Sequence, residues 1–198
     1  SMADMTPKYR LIVLERNVYD NTKALIDFAM GSSVIDTSLA DNESELARVV
    51  RCIEDVVSRR EYVLDSLIVK ASCSPEGSYQ HNSRLAAARS ESVRDYIWAH
   101  VPQEWRDSVR TSHVPENWEQ LKLIVAHDTV LEDASRRKIL SAADDLRRPD
   151  ETERKLSLMP EYRYLREKVY PQLRSVSFDF HLHRAGMQKD TVHTTELD

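Results

Sequence analysis

Glycine is scarce in this 198-residue chain: Gly31, Gly77 and Gly186 are all it has. Three isolated glycines exclude a phosphate-cradling loop of the GxGxxG or Walker kind, which needs several within a few residues. Cysteine is scarcer still. Cys52 and Cys73 are too few for a disulfide framework or a zinc site. No apolar run approaches the roughly 18 residues that span a membrane, and no secretory h-region is present. A basic excess is missing as well. The net charge of −5 argues against nucleic acid as a partner.

What remains suits one globular domain with a well-solvated surface, with 31% charged and 7% aromatic residues. The length suffices for a solid core, or for a core plus an insertion. Ser1-Met2 reads as a vector remnant. The chain is therefore expected to be an excised piece whose signal peptide and membrane anchor were left off. Residues 1–18 are read as that remnant plus an N-terminal extension, with a strand over 9–15. Residues 185–198 are read as a frayed polar tail.

Between them, hydrophobic periodicity predicts an ordered series of elements. A short strand is expected over 24–29, with a turn after it. A helix should follow over 43–59, with Asn42 as its N-cap and Glu45 completing a capping box. Its apolar face is Leu46, Val49, Val50, Ile53, Val56 and Val57. The near-continuous apolar run at 66–72 predicts a strand inside a sheet. A second helix is expected over 81–99, ending before Pro102. A third strand is placed at 109–113. Residues 116–173 then read as helices at about 118–126, 132–146, 150–158 and 161–169, with Pro149, Pro160 and Pro171 as punctuation. The closing segment RSVSFDFHLH alternates strictly, with Val176, Phe178, Phe180 and Leu182 on one face. The fold expected is α/β (α+β): a two-layer sandwich of one mixed sheet covered by helices, with a helical insertion before the last strand.

The chemistry concentrates in SCSPEGSYQHNSRLAAARSESVRDY, residues 72–96. A strand feeds a tight turn at Ser74-Pro75-Glu76-Gly77, and a helix carries Asn82 and, seven residues on, Arg89. That spacing is almost two helical turns, so both lie on one face. A strand, a turn with free backbone donors, a helix N-terminus and a positioned guanidinium together suit a small carboxylate-bearing ligand. The window resembles the peptidoglycan-binding signature of the OmpA-like C-terminal domain family, TDxxGxxxxNxxLSxxRAxxVxxYL. Gly77, Asn82, Leu85 and Arg89 fall on the family glycine, asparagine, leucine and arginine, and Val93, Tyr96 and Ile97 continue the pattern. Ala86 and Ser90 are small-for-small replacements. Cys73-Ser74 stands where the family has Thr-Asp.

The resemblance covers about 65–97 strongly and 25–59 fairly. It places the OmpA-like domain at 19–184, with the helical insertion at about 116–173. Arg174 keeps the first arginine of the Arg-Arg-Val that usually introduces the family's last strand. The resemblance implies a non-enzymatic domain of a Gram-negative periplasm that binds the diaminopimelate-type peptide stem of peptidoglycan. Such a domain tethers an outer-membrane or surface protein to the cell wall. Arg89 would hold the diaminopimelate carboxylate. Ser74 cannot supply the negative charge of the family aspartate, which holds the ammonium, so Glu76 is the acid that would stand in. Other envelope or surface proteins are expected partners; no cofactor and no direct membrane contact are implied. The alternative is a structural or protein-interaction module that keeps the fold and has lost the ligand.

Plainer roles stand beside each of these. Asn82 at a helix start is expected to cap it, shaping the site as a consequence, and Gly77 to supply a positive φ. Arg89 either binds a ligand carboxylate or forms a salt bridge with Asp65 or Glu76. His181 and His183 share a strand face at a metal-compatible spacing, but no third ligand can be named, and two solvated histidines are expected. Ser72, Ser74 and Cys73 lack an orienting partner for His81, so no nucleophilic catalysis is expected. Cys52 and Cys73 should lie about 13 Å apart along the first helix, beyond disulfide reach.

Overall fold

The computed structural model describes residues 22–186. The expected strand over 9–15 and most of the polar tail lie outside the described residues. Four strands form one mixed sheet in the order β1-β4-β2-β3, where β1 is Thr22–Ala24, β2 Tyr62–Ser72, β3 Val109–Val114 and β4 Val176–Arg184. β2 and β3 are parallel; β4 runs antiparallel to both β1 and β2.

One face of the sheet carries the core. Val176, Phe178, Phe180 and Leu182 are all buried, as the alternation requires, and pack with Leu67, Val69 and Ala71 of β2. A β-bulge between Leu64 and Ser66 resets the phase of β2, so that Tyr62 and Leu64 point inward before it and Leu67 and Val69 after it. Helices α1 (Asn42–Ser58) and α2 (Tyr79–Trp98) cover this face. Leu46, Val49, Ile53 and Val56 of α1 and Val93 and Ile97 of α2 join the same cluster. The opposite face, with Lys70, Ser177 and Asp179, stays half-buried. The result is the expected two-layer α/β sandwich.

Two local expectations are corrected. The first strand is not 24–29 but ends at Ala24, because its partner β4 begins at Val176 and Ala24 pairs with that residue. Past that point the chain has no ladder to join. Asn42 is not an N-cap but the first helical residue, fully buried. Its side chain accepts from the Asp27 N–H at 2.8 Å and donates to the carbonyls of Asp27 and Asp36, each at 2.8 Å. Satisfying that loop takes the side chain away from capping. Glu45 pairs with Arg48 at 2.7 Å instead of closing a capping box.

Between β3 and β4 the chain is helical. It runs through α3 (Trp118–His127), α4 (Asp133–Ala143), α5 (Pro149–Ser157), α6 (Tyr162–Tyr164), a π-helical turn (Leu165–Val169) and α7 (Tyr170–Leu173). The helix expected over 161–169 is thus interrupted. Pro171, which has no N–H to donate, lies two residues past the widened turn. These helices enclose a second apolar cluster that includes Trp118, Leu121, Ile139, Leu156 and Tyr170.

Cys52 on α1 is partly buried and Cys73 fully buried, and both are free. Burial pushes both thiols above their ordinary range. Both should therefore react slowly with a thiol reagent in the native protein and at once in denaturant. A non-reducing mass two protons short would contradict this.

Candidate functional site

At the end of β2 the chain turns through Ser74, Pro75, Glu76 and Gly77 into α2. Gly77 has φ +82°, a region costly for a side chain. A Cβ there would sit 3.7 Å from Asn82 Oδ1, an ordinary contact, so the backbone angle alone calls for glycine. The N-cap of α2 is Ser78, whose hydroxyl accepts from the His81 N–H at 3.1 Å. Asn82, expected to cap the helix, lies one turn inside it and is buried. Its Nδ2 donates to the carbonyls of Ser74 (3.2 Å) and Glu76 (2.8 Å) and to Glu116 Oε2 (2.8 Å). Asn82 therefore holds the turn in shape, though not as a cap.

The sequence-selected residues Ser74, Glu76, Gly77, Asn82 and Arg89 line one open cavity of about 560 Å³. Its far wall comes from the segment after β1, with Asp27, Phe28 and Gly31, and Arg174 closes one side. Arg89 is 9% exposed. Its Nε donates to the Ser32 carbonyl at 3.0 Å, its guanidinium lies 4.6 Å from the centre of the Phe28 ring, and Nη1 sits 3.9 Å from Cys73 Sγ. No carboxylate pairs with it among the described residues. Asp65 pairs instead with His183 at 2.7 Å, and Glu76 with Arg174 at 3.1 Å. Desolvation lowers the pKa of Arg89, as an unpaired cation out of water requires.

Two further expectations change. The first concerns the helix N-terminus, whose donors are not all free: the Tyr79 N–H donates to Asp150 Oδ1 at 2.8 Å, and His81 is taken by Ser78. The second concerns Glu76, which does not stand alone as the acid of the turn, since Arg174 neutralises it. Asp27 also lines the cavity, and its carboxylate accepts no hydrogen bond among the described residues. The hydroxyl of Ser72 donates to the Leu173 carbonyl at 2.7 Å, and that of Ser74 accepts from Arg174 Nε at 3.3 Å. Among the described residues no three His, Cys, Asp or Glu side chains are arranged to hold a metal.

Arg174, Asp27 and Phe28 were not singled out from the sequence as site residues. A signal for Arg174 existed. A strand antiparallel to β2 starts where β2 ends, which puts the residues just before Val176 beside the turn. Asp27 and Phe28 carried no such signal, because the segment holding them reads as a strand. No protein-family model matches the chain, and no curated protein sequence does.

Proposed function

We propose that this cleft binds the carboxylate of a zwitterionic amino-acid group, and that its ligand is the diaminopimelate-type peptide stem of peptidoglycan. The single observation that carries this reading is Arg89, a buried guanidinium with no carboxylate partner among the described residues, aimed into an open cavity. A protein that desolvates a cation without pairing it gains stability when an anion arrives, because a charge-assisted hydrogen bond then replaces lost hydration. The Phe28 ring and the Ser32 carbonyl fix the orientation of the guanidinium. The Asn82-held turn supplies the opposite wall. Asp27, whose carboxylate has no partner among the described residues, is the better-placed partner for a ligand ammonium, while Glu76 keeps Arg174 in position. Nothing in this reading requires bond making or breaking. The role is that of a non-enzymatic, OmpA-like tether of an outer-membrane or surface protein in a Gram-negative periplasm.

The test is calorimetric titration of soluble diaminopimelate-containing muropeptide into the protein. Saturable binding is expected. Asp27→Asn should weaken it about three- to tenfold, the worth of one exposed charged contact, and only for ligands with a free ammonium. Failure to bind at about millimolar ligand would favour the second reading, an interaction module that has lost the ligand. The Glu76–Arg174 pair favours that reading, since it removes the one acid of the turn from service.

A further inference from the structure

The cleft turn is tied to the helical segment that separates β3 from β4. Glu116, two residues past β3, is 5% exposed, and both of its carboxylate oxygens are used. Oε2 accepts from Asn82 Nδ2 at 2.8 Å, and Oε1 accepts from the indole Nε1–H of Trp118 at 3.0 Å. Trp118 opens α3 and belongs to the apolar cluster of the helical segment. Asn82 is also the residue that grips the carbonyls of Ser74 and Glu76. A chain of hydrogen bonds thus runs from the core of the helical segment through Glu116 to the cleft turn.

We propose that Glu116 is a positioning residue, which in its ionised form orients the Asn82 amide so that the turn lining the cleft is held closed-packed. The argument rests on donor and acceptor counts. Both groups facing Glu116 are donors, so only the carboxylate satisfies both. A protonated Glu116 brings a hydroxyl that must donate. It can do so to Asn82 only if that amide flips, and the flip turns Oδ1 toward the carbonyls of Ser74 and Glu76, which repel it. Either way the turn loses part of its grip. Other charged groups set the same balance. Asp150 and Glu153 of α5 face Glu116, Cys73 lies on its turn side, and Lys70, Glu119 and Arg147 line the cavity beyond. Burial dominates and raises the carboxyl from 4.5 to about 7. The change therefore falls near neutral pH. Because the folded protein holds this proton more tightly, the group's contribution to stability is greatest below 4.5 and is lost as pH rises to about 7.

The experiment is a nitrogen–proton NMR titration of the full chain from about pH 5.5 to about 8.5. It follows the Trp118 indole, the Asn82 side-chain amide and the Gly77 backbone amide. The imidazole of His81 also lines the cleft, so the indole, which touches Glu116 directly, sets the reference. All three signals should share one midpoint near neutral, and Glu116→Gln should abolish that step at all three while leaving the Trp98 and Trp105 indoles unchanged. If that variant fails to fold, Trp118→Phe serves: loss of an indole donor to the carboxylate should move the Asn82 and Gly77 midpoint upward. Asn82 and Gly77 signals that ignore the Trp118 step, or a step that survives Glu116→Gln, would overturn the proposal. A second arm rests on the ligand reading above: muropeptide should bind about three- to tenfold more weakly at the low-pH end. In Glu116→Gln that ratio should shrink to within about twofold. Absence of binding at either pH refutes the ligand reading alone, because the NMR arm still decides the role of Glu116.

Discussion

Arg89→Ala is expected to weaken muropeptide binding by roughly ten- to a hundredfold, the cost of losing a charge-assisted hydrogen bond of about 1.5–3 kcal/mol. The effect is large because the guanidinium is desolvated before the ligand arrives and, among the described residues, no carboxylate competes for it. The same circumstance limits the damage to the fold. Among the described residues, removing Arg89 strands no buried acid; it costs the hydrogen bond to Ser32 and the contacts with Phe28 and the Cys73 sulfur. The melting temperature of the variant should therefore stay within about 4 °C of the parent. Arg89→Lys keeps the charge, but an ammonium cannot lie flat on Phe28 and also donate in a fork, so its affinity should fall between the two. Calorimetry on the three proteins checks this. Equal affinity in all three would place the ligand elsewhere.

Phe178→Ala should lower the unfolding free energy by about 3–5 kcal/mol, the range for emptying a fully buried phenylalanine site. Phe178 sits on the inner face of β4, opposite Thr22 on one side and Val69 on the other, and is fully buried. β4 lies between β1 and β2, so its neighbours are pinned by two ladders and cannot collapse into the space left behind. The midpoint of urea denaturation should drop with little change in slope. A loss below about 1 kcal/mol would mean that this face of β4 is not the centre of the core. The contrast with Arg89→Ala is physical: one change removes packed volume, the other a charge that the fold holds at a cost.

How much of this was legible beforehand varies with the range of the interaction responsible. Residues 176–184 carry an alternation that leaves one choice of inner face, and the buried set Val176, Phe178, Phe180 and Leu182 follows from it. The stripe Leu46, Val49, Ile53 and Val56 likewise determined which side of α1 meets the sheet. The spacing of Gly77, Asn82 and Arg89 was enough to bring those residues to one cavity, because turn and helix geometry are local. Pairing was not local. Whether residues 25–29 form a strand depends on where β4 begins, more than a hundred residues away. Whether Asn42 caps a helix depends on the loop it meets. The same holds for charge. From the sequence alone, Arg89 had Asp65 and Glu76 as candidate partners. Only the tertiary structure gives those acids to His183 and Arg174 and leaves the guanidinium without a carboxylate partner among the described residues. It also brings Glu116 to Asn82 across 34 residues. Periodicity encodes which face of an element is buried; it does not encode which distant polar groups meet once those faces have closed.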